Sequence, residues 1–244
     1  MEPCPHLMGN SWFQFQQFRV HQDRCAMKIS TDAVLLGALA RHHSPKRILD
    51  VGTGTGILAL MLAQRFPTAR LTALEIDPDA AAQAAENCIS SPFGNRITVK
   101  LGRFQDFFEP QAFDLIVSNP PYFPNHLKSS DAKRNRALHA DELPFEALLL
   151  KTKALLLPEG RFWVILPSGQ VPAFLTLAEG QGLYPIQRIQ VKDAPAKNVF
   201  REVLELAQTP LSSAPFPQEI CLKEEDGIFT VAYASLLSGF LLGF

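Results

Sequence analysis

A glycine-rich turn between a strand and a helix constrains the fold of this chain more than any other feature. The run Asp50-Val-Gly-Thr-Gly-Thr-Gly56 overlaps the β-rich residues Arg47–Val51 and precedes Ile57–Phe66, whose composition and spacing are helical. Glycine lets the backbone take positive φ and approach a ligand closely. Such a turn lies at the carboxyl edge of a parallel sheet, where open α/β folds bind ligands.

Strands and helices alternate along most of the chain. Seven apolar, β-rich runs predict strands: Arg47–Val51, Arg70–Glu75, Arg96–Leu101, Phe113–Ser118, Arg161–Leu166, Tyr184–Lys192 and Val199–Ala207. Helical patterns cover Ile57–Phe66, Pro78–Asn87, Asp141–Leu156 and the chain from about Thr230. This alternation predicts right-handed βαβ units. We expect a Rossmann-like α/β fold: a mostly parallel seven-stranded sheet with an antiparallel edge and helices on both faces.

The residues before the first parallel strand form a separate segment. Trp12–Val20 alternates in part between apolar and polar residues, as a half-buried strand does, and Ser30-Thr31-Asp32 supplies N-cap chemistry for an apolar helix over Ala33–Ala40. We predict that residues 1–45 are an extension that folds over the sheet as a lid, and that residues 46–244 are one globular unit. The alternative is a helix that only packs against the core.

Composition excludes several classes of protein. With 244 residues, 47% of them hydrophobic, the chain can bury a sizeable core, and its net charge of −1 leaves attraction of nucleic acid to a local patch. The four cysteines are scattered, which argues against a zinc site and a disulfide framework and suits a reducing cytosol. No signal peptide is visible, and the apolar tail Ser235–Phe244 is shorter than the roughly 20 residues that span a bilayer. We expect a cytoplasmic monomer with no metal and no membrane contact.

The acidic strand end beside the glycines indicates the type of ligand. The glycines at 52, 54 and 56 do not match the dinucleotide pattern G-x-G-x-x-G, and the P-loop lysine is absent. An acid at position 50 suits a cation better than a phosphate, and S-adenosylmethionine (SAM) carries an ammonium and a sulfonium group. Glu75 ends the second strand, where its carboxylate can accept two hydrogen bonds from ribose hydroxyls. Together with Glu75-Ile-Asp-Pro78, the run resembles class I SAM-dependent methyltransferases; the alternative is a glycine-rich turn with a surface acid.

The turn after the fourth strand carries the candidate catalytic residues. In Ser118-Asn-Pro-Pro-Tyr122 the prolines fix φ and make the turn rigid. The Asn119 side-chain oxygen and the Pro120 carbonyl can both accept N–H bonds from an exocyclic amine, which aims its lone pair at a methyl donor. Tyr122 offers a face for base stacking, worth about 1–3 kcal/mol in single-stranded recognition. We therefore assign Asn119, Pro120, Pro121 and Tyr122 to catalysis.

The chain as a whole resembles the bacterial family that methylates N6 of adenine 37 in a valine tRNA. The stretches that carry the resemblance are Phe13–Phe18, His21–Lys28, Thr31–Gly37, Leu58–Gln64, Ala80–Asn87 and the final helix with Tyr233. The resemblance implies that Lys28, Thr31 and Asp32 lie near the SAM pocket. The full set of predicted cofactor residues is Lys28, Thr31, Asp32, Asp50, Gly52, Thr53, Gly54, Gly56, Glu75, Ile76, Phe104 and Asn119, and the predicted product is S-adenosylhomocysteine.

One position departs from that class of enzyme. Where such methyltransferases often carry an acid after the third strand to contact the adenine of SAM, this chain has Gly102-Arg-Phe104. An arginine cannot accept a hydrogen bond from the adenine amine. The backbone amide of Phe104 can still contact the ring, and Asp106 is a second candidate.

A basic stretch follows the catalytic turn directly. The run from Lys128 to Arg136 is the densest positive segment in the chain. Beside the motif, it would track the phosphates that lead to a flipped base in tRNA. The predicted RNA-binding residues are Lys128, Lys133, Arg134, Arg136 and, from the N-terminal segment, Arg24. The alternative is a solvated surface run.

Three other functions remain open from the sequence. Enzymes that methylate a glutamine amide in release factors share the Asn-Pro-Pro-Tyr motif, but they carry a separate N-terminal helical bundle that the residues before the sheet cannot build. Guanine-N2 rRNA methyltransferases favour Phe where this chain has Tyr122. A SAM-binding RNA chaperone without catalysis would not need the intact motif.

Overall fold

The computed structural model describes residues 11–25, 28–121 and 143–244. Ten strands run in chain order: β1 Trp12–Gln14, β2 Arg19–His21, β3 Arg47–Val51, β4 Arg70–Glu75, β5 Ile97–Leu101, β6 Phe113–Ser118, β7 Leu156–Pro167, β8 Tyr184–Lys192, β9 Val199–Ala207 and β10 Gln218–Cys221. Six α-helices occur in these ranges: α1 Thr31–Leu39, α2 Ile57–Arg65, α3 Pro78–Ile89, α4 Phe145–Leu155, α5 Val171–Gly180 and α6 Val231–Leu237. Within the described residues, no helix is long and apolar enough to cross a membrane.

The main sheet is mixed and mostly parallel, as predicted. Its strand order is β10-β8-β9-β7-β6-β3-β4-β5, and only β9 runs against its neighbours. The prediction of seven strands was one too few, because β10 adds an eighth. Its four residues are exposed or half-buried and lack apolar alternation, so their strand character comes from backbone pairing with β8. The reversed strand also lies between β7 and β8 rather than at the sheet edge.

The strands bury both faces of the sheet. Along β3, Ile48 joins a core with α1, α2 and α6, while Leu49 joins a second core with α4 and α5. Successive strand residues point to opposite faces, so this alternation places helices on both sides. The fold class predicted from the sequence is therefore confirmed.

The N-terminal segment forms a hairpin rather than one strand. Trp12–Val20 was predicted as a continuous strand, but the chain turns between Phe15 and Phe18, whose buried rings stack with centroids 4.5 Å apart. The backbone amide of Phe15 donates to the Phe18 carbonyl at 2.9 Å, closing the turn. Apolar pairing across this turn outweighs the local strand pattern. The two phenylalanines belong to the same core as the sheet, and the division at residue 45 stays a prediction.

Three further boundaries differ from the sequence-based prediction. The helix α5 was not predicted; Pro172 occupies its first turn, where the missing N–H costs no hydrogen bond. The helix predicted from Asp141 begins instead at Phe145, after Pro144 in extended backbone, and residue 141 itself lies outside the described ranges. Strand β7 begins at Leu156, where a register irregularity opposite Phe113 lets pairing with β6 start early.

Candidate active site

A cleft of about 280 Å³ opens at the carboxyl ends of β3, β4 and β6. Its walls are mainly apolar, and they come from the N-terminal segment, the glycine turn, the ends of β4 and β5, and the turn after β6. The lining residues are Cys25, Val51, Gly52, Gly54, Leu74, Glu75, Ile76, Asp77, Ala80, Gly102, Phe104, Gln105, Ser118, Asn119, Pro120, Pro121 and Leu143.

The cleft brings together most of the candidate residues from two separate motifs. Eight predicted site residues line it: Gly52, Gly54, Glu75, Ile76, Phe104, Asn119, Pro120 and Pro121. Six others do not: Lys28, Thr31, Asp32, Asp50, Thr53 and Gly56. The remaining candidates next to the motif, Tyr122, Lys128, Lys133, Arg134 and Arg136, lie outside the described residues. The juxtaposition of the glycine turn and the Asn-Pro-Pro turn is the central feature of the site.

The glycine turn needs its glycines for backbone conformation rather than for lack of room. Gly52 and Gly54 have φ of 72° and 54°, in the left-handed region, yet a Cβ added at either would meet no atom within 4 Å. The amides of Gly52 and Thr53 both donate to the Leu74 carbonyl, at 2.9 and 3.0 Å, which ties the turn to the end of β4. The open space above these glycines belongs to the cleft, so a ligand can contact the backbone there.

Asp50 supports this turn from behind. Its side chain is fully buried, and its Oδ2 accepts a hydrogen bond from the Thr53 hydroxyl. The other carboxylate oxygen, Oδ1, is buried without a hydrogen-bond partner. Burial raises the pKa of Asp50 to about 7. Because Asp50 does not line the cleft, the structure gives no support to direct contact with a bound ligand; contact through water stays a prediction.

Glu75 is held by three backbone amides. Its Oε2 accepts from Gly54 at 2.7 Å, and its Oε1 accepts from Ile76 and Asp77 at 2.9 and 3.0 Å. A carboxylate offers about four acceptor positions, so one remains for a ligand hydroxyl. A pair of ribose hydroxyls would bind fully only if one amide, such as that of Gly54, moved away. Glu75 therefore couples the ligand position to the glycine turn.

The Asn-Pro-Pro turn leaves the strand next to the glycine turn. Val51 and Ser118 are paired in the parallel register of β3 and β6, and the Ser118 hydroxyl donates to the Val51 carbonyl at 3.1 Å. Asn119 is half-buried, Pro120 is buried and Pro121 is exposed. This arrangement fixes the amide side chain of Asn119 beside the open face of the glycine turn.

Four predicted residues have other surroundings. Asp32 is buried and paired with Arg201 at 2.8 Å, which joins the start of α1 to β9. Lys28 and Thr31 are exposed and do not reach the cleft wall. Arg24, predicted to contact RNA, forms an ion pair with Glu86 on α3. The structure therefore places these residues around the cleft rather than in it.

Several lining residues were not predicted. Asp77, Gln105 and Ser118 each lie one or two residues from a motif, so extending each motif beyond the strand end would have found them. Cys25 has no such signal, because it reaches the cleft through packing of the N-terminal segment. Burial, aided by the Glu75 carboxylate, raises the pKa of Cys25 to about 11, so its thiol stays neutral. Gln105 lines the cleft where Asp106 does not.

Solved structures with the same architecture define the class. A predicted O-methyltransferase from Agrobacterium tumefaciens superposes with a TM-score of 0.67 at 19% identity, covering 86% of this chain and 96% of its own. A TehB-like SAM-dependent methyltransferase from Corynebacterium glutamicum gives 0.50 at 20% identity, covering 75% and 90%. The fold and its cleft are therefore those of class I SAM-dependent methyltransferases.

Sequence relatives give the family. Residues 28–175 match the methyltransferase small domain. Two relatives are named tRNA1(Val) (adenine(37)-N6)-methyltransferase: one from Parabacteroides distasonis is 43% identical over 96% of this chain and 99% of its own, and one from Bacteroides fragilis is 49% identical over 77% and 80%. The chain belongs to the tRNA1(Val) (adenine(37)-N6)-methyltransferase family, and it is an enzyme.

The cleft fits the cofactor of this class, SAM. Its apolar walls suit an adenine ring, the open space over Gly52 and Gly54 admits a chain in contact with the backbone, and Glu75 keeps an acceptor position for a hydroxyl. The buried Oδ1 of Asp50 adds an unsatisfied acceptor behind the turn. Across residues 11–25, 28–121 and 143–244, no group of three or more His, Cys, Asp or Glu side chains could hold a metal ion.

Proposed function

We propose that this enzyme transfers the methyl group of SAM to N6 of adenine 37 in tRNA1(Val) and releases S-adenosylhomocysteine. The observation that carries the proposal is the pairing of β3 with β6, which sets the glycine turn beside Asn119 and Pro120. The shared name of relatives that cover nearly the whole chain supports the choice of substrate.

The residues after β6 act on the amine. SAM, when bound, supplies a methyl group made electrophilic by its sulfonium sulfur. The Asn119 side-chain oxygen and the Pro120 carbonyl accept the two N–H bonds of the adenine amine, which aims its lone pair at the methyl group. Because the prolines fix the turn, these dipoles are oriented before the reaction and meet the charge that develops on nitrogen. No titrating base is needed, and Tyr122 provides the stacking face for the flipped base.

The other cleft residues hold the cofactor. Gly52 and Gly54 let its methionine end lie against the backbone, and Glu75 accepts from the ribose. We assign the adenine to the Phe104 side of the cleft, with Gln105 in place of the acid that the sequence lacks. Unlike Arg103, a glutamine side chain has an oxygen that can accept from the adenine amine.

The test is tritium transfer from labelled SAM to unmodified total tRNA, followed by nucleoside analysis. The expected product is N6-methyladenosine in one valine isoacceptor. Label that enters a protein fraction while tRNA stays unlabelled would favour glutamine methylation, and label in N2-methylguanosine would favour the rRNA alternative.

Asn119→Ala separates chemistry from cofactor binding. We expect kcat to fall by about 10²–10³-fold, as when one oriented polar group is removed from a transition state, while affinity for S-adenosylhomocysteine stays near the parent value. Methylation at the parent rate would refute the role of Asn119 and would revive the view of a cofactor-binding protein without this mechanism.

The RNA-binding assignment to Lys128, Lys133, Arg134 and Arg136 is a proposal of the same kind. If these residues contact phosphates, tRNA affinity of a variant with all four changed to Ala should depend less steeply on salt than that of the parent. The monomeric state and the cytoplasmic location also stay predictions, and sedimentation of the purified protein tests the first.

A further inference from the structure

Two buried amide side chains on α3 face the N-terminal segment. Gln83 and Asn87 lie one helical turn apart, and their exposed fractions are 0% and 1%. Positions i and i+4 share one face of a helix, so both amides point the same way. Buried amides of this kind are costly unless they are hydrogen-bonded, which makes their partners informative.

Asn87 joins three parts of the chain. Its Oδ1 accepts from the backbone amide of His21 at 2.8 Å, and its Nδ2 donates to the His21 carbonyl at 2.8 Å. The same Nδ2 donates to the Thr55 carbonyl at 2.9 Å, inside the glycine turn. The side chain thus pairs with His21 as a neighbouring strand would, and both of its N–H donors are used.

Gln83 continues the contact along the N-terminal segment. Its Oε1 accepts from the backbone amide of Arg24 at 3.1 Å, and its Nε2 donates to Oδ1 of Asp23 at 2.7 Å. The next residue, Cys25, lines the cleft beside Glu75 and Asp77. Residues 22–25 belong to no helix or strand, so these side-chain bonds replace the backbone ladder that would otherwise fix their position.

We propose that Gln83 and Asn87 are positioning residues for cofactor binding: one face of α3 sets the distance between two walls of the cleft. Through Thr55 it fixes the glycine turn, and through His21, Asp23 and Arg24 it places Cys25 on the opposite side. Neither amide touches the cleft itself. The inference rests on the proposed function in one respect, namely that SAM occupies this cleft.

The test exchanges the polarity of the Gln83–Asp23 bond. Gln83→Glu keeps an acceptor for the Arg24 amide but sets a second carboxylate against Asp23. We expect the KM for SAM and the Kd for S-adenosylhomocysteine to rise on the order of tenfold, with kcat for tRNA changed less than twofold. Adding Asp23→Asn restores a donor and an acceptor in reversed order, so the double variant should return to within about twofold of the parent.

Ala82→Glu is the matched control. It adds the same charge to the same helix at an exposed position next to Gln83, and it leaves both amides in place. Its KM for SAM should equal that of the parent. Thermal unfolding of all variants, measured without ligand, identifies any change that reflects loss of folding alone.

Asn87→Leu tests the second amide, because leucine removes three hydrogen bonds at similar volume. We expect weaker binding of S-adenosylhomocysteine than in the Gln83 variant, since both walls are released. If Gln83→Glu leaves the KM unchanged, or if Asp23→Asn does not rescue it, the positioning role is refuted.

The binding measurement also separates this inference from the proposed function. A parent protein that binds S-adenosylhomocysteine but does not methylate tRNA overturns the substrate assignment, and the Kd series still tests the positioning residues.

Discussion

The buried carboxylate behind the glycine turn makes stability depend on pH. Burial raises the pKa of Asp50 from 3.8 to about 7. Between these two values the folded protein holds a proton that the unfolded chain has lost, so the free energy of unfolding falls as pH rises through this window. Above the folded-state pKa the contribution is constant.

The expected size follows from linkage. For a single carboxyl with these two pKa values, the loss of stability between pH 5 and pH 8 is about 2.5 kcal/mol. Asp50→Asn removes the titration and keeps an acceptor for the Thr53 hydroxyl. The variant should therefore gain about 2.5 kcal/mol relative to the parent as pH rises across this range.

Urea unfolding of both proteins at several pH values measures this difference. Glu205, whose pKa burial also raises to about 7, titrates in both proteins and cancels in the comparison. Parallel stability profiles for parent and variant would show that Asp50 titrates near its ordinary pKa, which would mean that water reaches Oδ1 and that the carboxylate is not dry.

Three further substitutions test the site and its support. Glu75→Gln replaces an acceptor oxygen by an amide group that repels the backbone N–H donors, so the Kd for S-adenosylhomocysteine, measured by calorimetry, should rise by more than tenfold, and an unchanged Kd would exclude the ribose contact. Gly54→Ala forces a side chain into backbone with φ of 54°; we expect a loss of about 1–2 kcal/mol in thermal unfolding, and no loss would show that the turn relaxes. Arg201→Met leaves the buried Asp32 without its ion-pair partner, which should cost about 2 kcal/mol because the pair is partly exposed, and Asp32→Asn in the same protein should recover part of it.

The parallel half of the fold was predictable because each strand is a short, continuously apolar run between a helix and a turn. Strand β3 and helix α2 occur almost where composition places them, with the glycines between. The strand β10 was not predictable. Its residues bury little, and their conformation depends on the backbone of β8, which is nearly 30 positions earlier in the chain.

The candidate site divides in the same way. Residues on the two strand-end turns, such as Gly52, Glu75 and Asn119, could be placed from the sequence because parallel strands bring their carboxyl ends to one edge. Cys25 could not, since it reaches the cleft through hydrogen bonds from α3 to an irregular segment. Asp32 shows the opposite error: resemblance suggested a cofactor residue, while tertiary packing gives it a partner on β9.

The pairing of Val51 with Ser118 has a consequence for how this reaction can vary. The turn for the methyl donor and the turn for the acceptor amine begin one strand apart, and adjacent strands are separated by about 4.8 Å whatever their side chains. The reach of the transfer is therefore written into the backbone ladder of β3 and β6. Loops around the cleft can be exchanged to admit a different acceptor without resetting the distance over which the methyl group travels.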